Sequence, residues 1–118
     1  MSASLSLNDP TLLQTNAFID GVFTAAPNGK TFAVTNPATG DIIAEVADCG
    51  ADDILRAIDA AEMARHSWAA TTAKERSAIL RKWNDLCLEN IDDLAAILTG
   101  EMGKLLAEAK GEILYGTR

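Results

Sequence analysis

The sequence is poor in cysteine, histidine and basic residues, and each shortage excludes a class of function. Its two cysteines, Cys49 and Cys87, lie too far apart for a metal-ligand or redox pair, which favours reduced thiols. The 10 Lys and Arg residues are scattered and are outnumbered by 17 Asp and Glu, giving a net charge of -7. Nucleic acids and anionic membranes bind clustered positive charge, so we expect neither as a partner.

Apolar runs long enough to cross a membrane are also missing. The longest run, Leu94 to Leu98, is far shorter than the ~20 residues that span a bilayer. Residues 1 to 10 have neither a basic start nor an apolar stretch, so the sequence predicts no signal peptide. We therefore expect a soluble chain in the cytoplasm.

Enough apolar residues are nevertheless present for a folded domain. Of the 118 residues, 48% are apolar. A chain of this length can bury ~65% of the surface that its unfolded form exposes. The composition therefore predicts one globular domain, or a piece of one, with a core that needs no disulfide.

The first part of the chain has β-like patterning. Residues 1–15 are rich in Ser, Asn, Asp and Thr, which predicts a flexible arm. Asp20-Gly21 lies between two apolar pairs, and Asn28-Gly29 repeats this hairpin signal. Apolar residues alternate on both sides of the strand-breaking segment 36–40. We predict three short strands, joined by turns, between residues 17 and 47.

The rest of the chain has helical periodicity. Apolar residues recur every three or four positions in four stretches between residues 51 and 116. Thr72 and Glu75 form the pattern of a capping box at the start of the second stretch. Asn90 is expected to cap the third stretch, which Gly103 can end. Strands followed by about four helices predict an α+β fold for this segment alone.

Phosphate-binding motifs are absent or incomplete. Gly29-Lys30-Thr31 ends like a phosphate-binding loop, but Thr24 occupies the place of the first glycine, so a hairpin turn is the expected structure. The eight glycines include no G-x-G pair, and the dinucleotide-binding fingerprint is therefore missing.

Single reactive side chains also lack partners in the sequence. Glu62 precedes His66 by one helical turn and is placed to orient its imidazole, although an exposed surface histidine is the expected outcome. Cys87 lies on an apolar stripe and Cys49 follows Asp48, so neither thiol is prepared as a nucleophile. Two aromatic residues on apolar helix faces are predicted to be packing residues, Trp68 and Trp83.

Five groups of segments follow one another in a characteristic order. They are Phe18-Ile19-Asp20-Gly21, Asn36-Pro37-Ala38-Thr39-Gly40-Asp41, Ala60-Ala61 through Trp68, Arg76 with Ile79-Leu80, and Glu101-Met102-Gly103-Lys104 with Glu108-Ala109. From Ala17 to Gly116 the chain resembles the amino-terminal portion of the NAD(P)-dependent aldehyde dehydrogenases. The run from Glu101 to Ile113 is most similar to the succinate-semialdehyde and glutarate-semialdehyde branch. Leu105 departs from the pattern, which usually has proline there.

The resemblance implies an α/β fold in which residues 16–118 are the amino-terminal part of the cofactor-binding domain. It implies a homo-oligomeric enzyme that oxidises a small aldehyde, succinate semialdehyde, with NADP or NAD as cofactor. In the family the catalytic Cys and Glu and the nucleotide-binding segments lie downstream of the portion that this chain matches. The resemblance therefore implies that the partner of this chain is the remaining carboxy-terminal portion. For the chain alone we expect no catalytic residue, no cofactor and no activity, as in a truncated product, a gene fragment or one part of a split enzyme.

Two further interpretations concern binding. Glu101 stands where some relatives have an acidic residue that helps to bind a monovalent cation, with backbone carbonyls near Val34 and Thr35; a solvated glutamate is the alternative. The sequence also allows a protein of a different class, a small noncatalytic interaction module whose apolar helix faces bind a partner protein.

Overall fold

The computed structural model describes residues 5–117, and within them it has four strands and four helices. The strands are β1 (Ala17–Ile19), β2 (Val22–Thr24), β3 (Thr31–Thr35) and β4 (Ile42–Ala47). The helices are α1 (Ala51–Ala70), α2 (Ala73–Glu89), α3 (Ile91–Met102) and α4 (Leu106–Gly116). Strands followed by helices confirm the predicted α+β segment. Residues 1–4 of the predicted arm lie outside the described residues.

The strands form two separate antiparallel hairpins. β1 pairs with β2 across the two-residue turn Asp20-Gly21, as the sequence predicts. β3 pairs with β4 across a loop in which the N–H of Asn36 donates to the carbonyl of Asp41 over 2.8 Å. The prediction of three strands is wrong, because both short arms of the first hairpin pair as strands.

Asn28-Gly29 makes a turn but not a hairpin. Both residues have positive φ in a short 3-10 turn, Pro27–Gly29. The strands on its two sides, β2 and β3, belong to different two-stranded sheets. The hairpin prediction is wrong because the residues of a turn determine a local bend, whereas pairing depends on which strands meet.

The first two helices begin at capping carboxylates. The N–H of Thr72 donates to Glu75 over 2.7 Å and the Thr72 hydroxyl accepts the N–H of Glu75 over 3.2 Å, which confirms the capping box of α2. The backbone hydrogen bond from Thr72 lowers the pKa of Glu75. In α1, Asp53 accepts the N–H of Gly50 over 3.0 Å. The Arg56 guanidinium, 2.5 Å from Asp53, is the main reason that the pKa of this carboxyl is lowered.

Helix α3 begins two residues after α2 ends, which changes how its start is capped. Asn90 is the residue between them, and both its N–H and its side-chain amide donate to the carbonyl of Leu86. Asn90 is the N-cap residue of α3, as predicted, but its side chain satisfies the end of α2 and makes no capping bond to α3. At the other end, α3 stops at Gly103, as predicted, where φ is 77°. A Cβ on Gly103 would lie 3.0 Å from Cγ of Pro37, so the end of α3 packs against the β3–β4 loop.

The core within the described residues is small. Its buried apolar members are three alanines and one larger residue: Ala26, Ile43, Ala95 and Ala109. The chain exposes 8498 Å², whereas a compact protein of its mass exposes about 6,200 Å². Its radius of gyration of 16.7 Å also exceeds the roughly 13.5 Å of a compact chain of this length. Of the two possibilities that the composition allows, the large surface and small core favour a piece of a globular domain.

Candidate functional site

Large apolar side chains are exposed along one side of α1 and of α2. The α1 face consists of Ile54, Leu55, Ile58, Ala61 and Trp68, and the α2 face consists of Ile79, Leu80, Trp83 and Leu86. On both helices the members recur at a helical spacing. The α2 set forms a continuous stripe, whereas on α1 the ion pair of Glu62 and Arg65 lies on the same side, between Ala61 and Trp68. Ile58 is 57% exposed and Trp83 is 66% exposed. Exposed apolar faces of this size usually pack against another layer of protein rather than facing water.

The other side of α1 is mostly polar and gives a direct comparison. Asp59 and His66 lie there, together with one large apolar residue, Met63. At 100° per residue, Met63 is about 140° around the helix from Ile58. It is 79% exposed, more than any of the large members of the α1 face. The apolar stripe is therefore a property of one side of the helix and not of α1 as a whole.

The tryptophans do not pack as predicted. Trp68 remains 41% exposed and Trp83 is exposed further, although both lie on the apolar stripes that the sequence identified. The prediction that they are packing residues is wrong for this chain, because the described residues place no layer opposite the α1 and α2 faces.

A groove of about 880 Å³ lies beside the α2 face, next to the end of α4. Its lining includes Arg76, Leu80, Trp83 and Cys87. Asn84 lines it as well, and its side-chain carbonyl oxygen is buried without a hydrogen-bond partner among the described residues. Leaving a buried acceptor unpaired is unfavourable. The groove therefore has an apolar wall beside a buried acceptor that no group among the described residues satisfies.

The reactive side chains form no catalytic group among the described residues. The imidazole of His66 is exposed and lies 3.9 Å from Glu62. The Glu62 carboxylate is bound by Arg65 at 2.7 and 2.8 Å, and these bonds lower its pKa. Cys49 and Cys87 are free thiols. Within residues 5–117, no three His, Cys, Asp or Glu residues come together as metal ligands.

Glu101 lies exposed in the last turn of α3. The contact between Gly103 and Pro37 places this end of the helix beside the segment that follows Thr35, the last residue of β3. Free carbonyls at the end of a helix carry partial negative charge, and hard cations prefer oxygen ligands. A monovalent-cation site formed by Glu101 with the carbonyls near Val34 and Thr35 stays a prediction.

None of the helices in the described range is both long and apolar enough to cross a membrane.

Comparison with known proteins assigns the fold to a family. The model of the aldehyde dehydrogenase family matches residues 23–118. The chain is 53% identical to 3-sulfolactaldehyde dehydrogenase of Pseudomonas putida over 95% of its length, and 51% identical to the NADP(+)-dependent succinate-semialdehyde dehydrogenase of Escherichia coli over 94%. The crystal structure of succinate-semialdehyde dehydrogenase from Burkholderia pseudomallei superposes with a TM-score of 0.92 over 95% of the chain, at 53% identity.

The chain spans 23% of the length of each of these proteins and corresponds to their amino-terminal part. Over that part, sequence and fold agree along almost the whole chain. The chain belongs to the aldehyde dehydrogenase family.

Proposed function

We propose that residues 16–118 form the amino-terminal part of the cofactor-binding domain of an aldehyde dehydrogenase, and that the α1 and α2 faces pack against the rest of that enzyme. The observation that carries the proposal is the exposure of both faces in a chain that spans 23% of its relatives. The chain exposes about 2,300 Å² more than a compact protein of its mass. A standard interface buries roughly 800 Å² on each partner, so the surplus is large enough for a permanent contact.

The reaction proposed for the complete enzyme is the oxidation of succinate semialdehyde to succinate with NADP or NAD. Similarity to a succinate-semialdehyde dehydrogenase over 94% of the chain supports this substrate. The catalytic Cys and Glu and the cofactor site belong to the carboxy-terminal portion, so this chain supplies a structural layer rather than reacting groups. We place the enzyme in the cytoplasm as a homo-oligomer, with Glu101 contributing to a monovalent-cation site.

A noncatalytic interaction module is not favoured. The similarity to enzymes extends over 95% of the chain rather than over a single motif. The exposed apolar faces need a partner under either hypothesis, and the family relationship favours the remainder of the same enzyme as that partner.

The proposal is tested with a hybrid enzyme, in which this chain replaces the matched amino-terminal part of the E. coli succinate-semialdehyde dehydrogenase. The hybrid should form NADPH when succinate semialdehyde is added, because the α1 and α2 faces then meet the layer they lack. The isolated chain should form neither NADPH nor NADH, since Cys49 and Cys87 have no activating partner.

Two results would contradict this assignment. One is a folded hybrid without aldehyde oxidation. The other is turnover by the isolated chain that Cys49→Ser or Cys87→Ser abolishes, because the reaction would then use a thiol of this chain.

A further inference from the structure

Helices α1, α2 and α3 each have a carboxylate at their third residue: Asp53, Glu75 and Asp93. In α1 and α2 this carboxylate accepts the N–H of the residue that precedes the helix. In α3 that N–H belongs to Asn90 and already donates to Leu86 at the end of α2. The usual capping bond is therefore not available to Asp93.

Asp93 binds a distant part of the chain instead. Its Oδ1 accepts the N–H of Asn8 and its Oδ2 accepts the N–H of Asp9, both over 2.8 Å. The residue is only 4% exposed. A buried carboxylate is unfavourable unless hydrogen bonds satisfy it, and here two successive main-chain amides do so. The contact joins residues more than 80 positions apart in the sequence.

The segment 5–15 is attached to the rest of the chain at further points. The side chain of Leu5 lies over Gly100, where a Cβ would come within 2.7 Å of its Cδ2. The carbonyl of Thr15 accepts the N–H of Ala47 in β4 over 2.8 Å. These contacts differ from the loose arm that the composition predicts. The sequence could not predict the contact with Asp93, because nearly every residue type has a main-chain N–H group and no residue pattern marks the ones that are bound.

We propose that the Asp93 carboxylate binds the main chain of residues 5–15 and thereby holds this segment, which we call the strap, against α3 and β4. Its two oxygens recognise a pair of consecutive N–H groups and not the side chains of Asn8 or Asp9. The strap keeps Leu5 over Gly100 and closes the small core that contains Ile43. The strap is present in this chain whatever reaction the complete enzyme performs.

The rate of amide hydrogen exchange, measured on the full chain, tests whether Asp93 holds the strap. Asp93→Asn replaces one acceptor by an NH₂ group, so the amides of Asn8 and Asp9 should exchange at least about tenfold faster. Asp92→Asn is the matched control: Asp92 is the neighbouring residue, and its carboxylate is exposed and pairs with Lys110 at 2.6 Å. This control should leave exchange at both amides unchanged. Equal protection in the two variants, or no protection in the unsubstituted chain, would overturn the proposal.

A second pair of variants keeps the test valid if Asp93→Asn does not fold. Asn8→Ala retains the N–H and should preserve protection of the Asp9 amide. Asn8→Pro removes the N–H and should therefore release the strap. The Asp9 amide should then exchange at least about tenfold faster, and a protease should cleave within residues 5–15. If Asn8→Ala releases the strap as much as Asn8→Pro, the side chain is being recognised and the proposal is wrong.

Discussion

Replacing Ile58 by aspartate should reduce the succinate-semialdehyde activity of the hybrid enzyme at least about a hundredfold. Ile58 lies in the middle of the α1 face and is 57% exposed in this chain. If the face packs against the rest of the enzyme, the substitution buries an unpaired charge, which costs roughly 3–5 kcal/mol. The measurement is the rate of NADPH formation by the purified hybrid, together with the amount of folded protein recovered.

Met63→Asp is the matched control for this substitution. It introduces the same charge on the same helix, in place of another large apolar side chain that is 79% exposed. Because Met63 lies on the polar side of α1, the variant should keep its activity within about twofold, since surface substitutions usually change stability by less than 0.5 kcal/mol. Equal losses in the two variants would mean that the α1 face has no special contact.

Replacing Gly103 by alanine should destabilise the chain by about 2 kcal/mol. The φ of 77° at this residue is a left-handed conformation that costs a residue with a Cβ about 1–2 kcal/mol. The added Cβ would also lie 3.0 Å from Cγ of Pro37, so the contact between α3 and the β3–β4 loop must give way. Urea unfolding followed by circular dichroism measures the change.

Gly111→Ala should have the opposite effect on the same measurement. Gly111 lies within α4, and a Cβ there would meet nothing within 4 Å. Alanine is favoured over glycine inside a helix, so this variant should gain about 1 kcal/mol. A Gly103→Ala variant as stable as the unsubstituted chain would show that α3 does not end as described.

The features that could be predicted from the sequence depend on neighbouring residues. Thr72 and Glu75 satisfy each other within one helical turn, so their pattern located the start of α2. Gly103 supplies a conformation that ends a helix, and Asp20-Gly21 makes a two-residue turn. Each of these structures is decided by contacts across at most a few residues, which a local pattern can reveal.

The features that could not be predicted depend on distant contacts. Asn28-Gly29 has the composition of a hairpin turn, but its flanking strands pair elsewhere. Asp93 binds the amides of residues 8 and 9. No local pattern contains these partners.

The candidate site also combines features that local patterns predict with features that depend on distant contacts. Helical periodicity located the α1 and α2 faces, but it could not tell whether a layer of this chain covers them. Trp68 and Trp83 were therefore expected to be packed and are exposed. Catalytic chemistry could not be predicted from periodicity or spacing, and the resemblance to aldehyde dehydrogenases supplied the family.

The rate of thiol labelling at residue 58 shows whether the rest of the enzyme covers the α1 face. The natural cysteines are first removed by Cys49→Ser and Cys87→Ser, and either Ile58→Cys or Met63→Cys is then added. Each variant is labelled both as the isolated chain and in the hybrid, and peptide mass spectrometry follows the labelling of each site. Labelling at position 58 should be at least about tenfold slower in the hybrid, because a packed interface excludes the reagent. Labelling at position 63 should be unchanged. Equally fast labelling at position 58 in the isolated chain and in a folded hybrid would show that the rest of the enzyme does not cover this face.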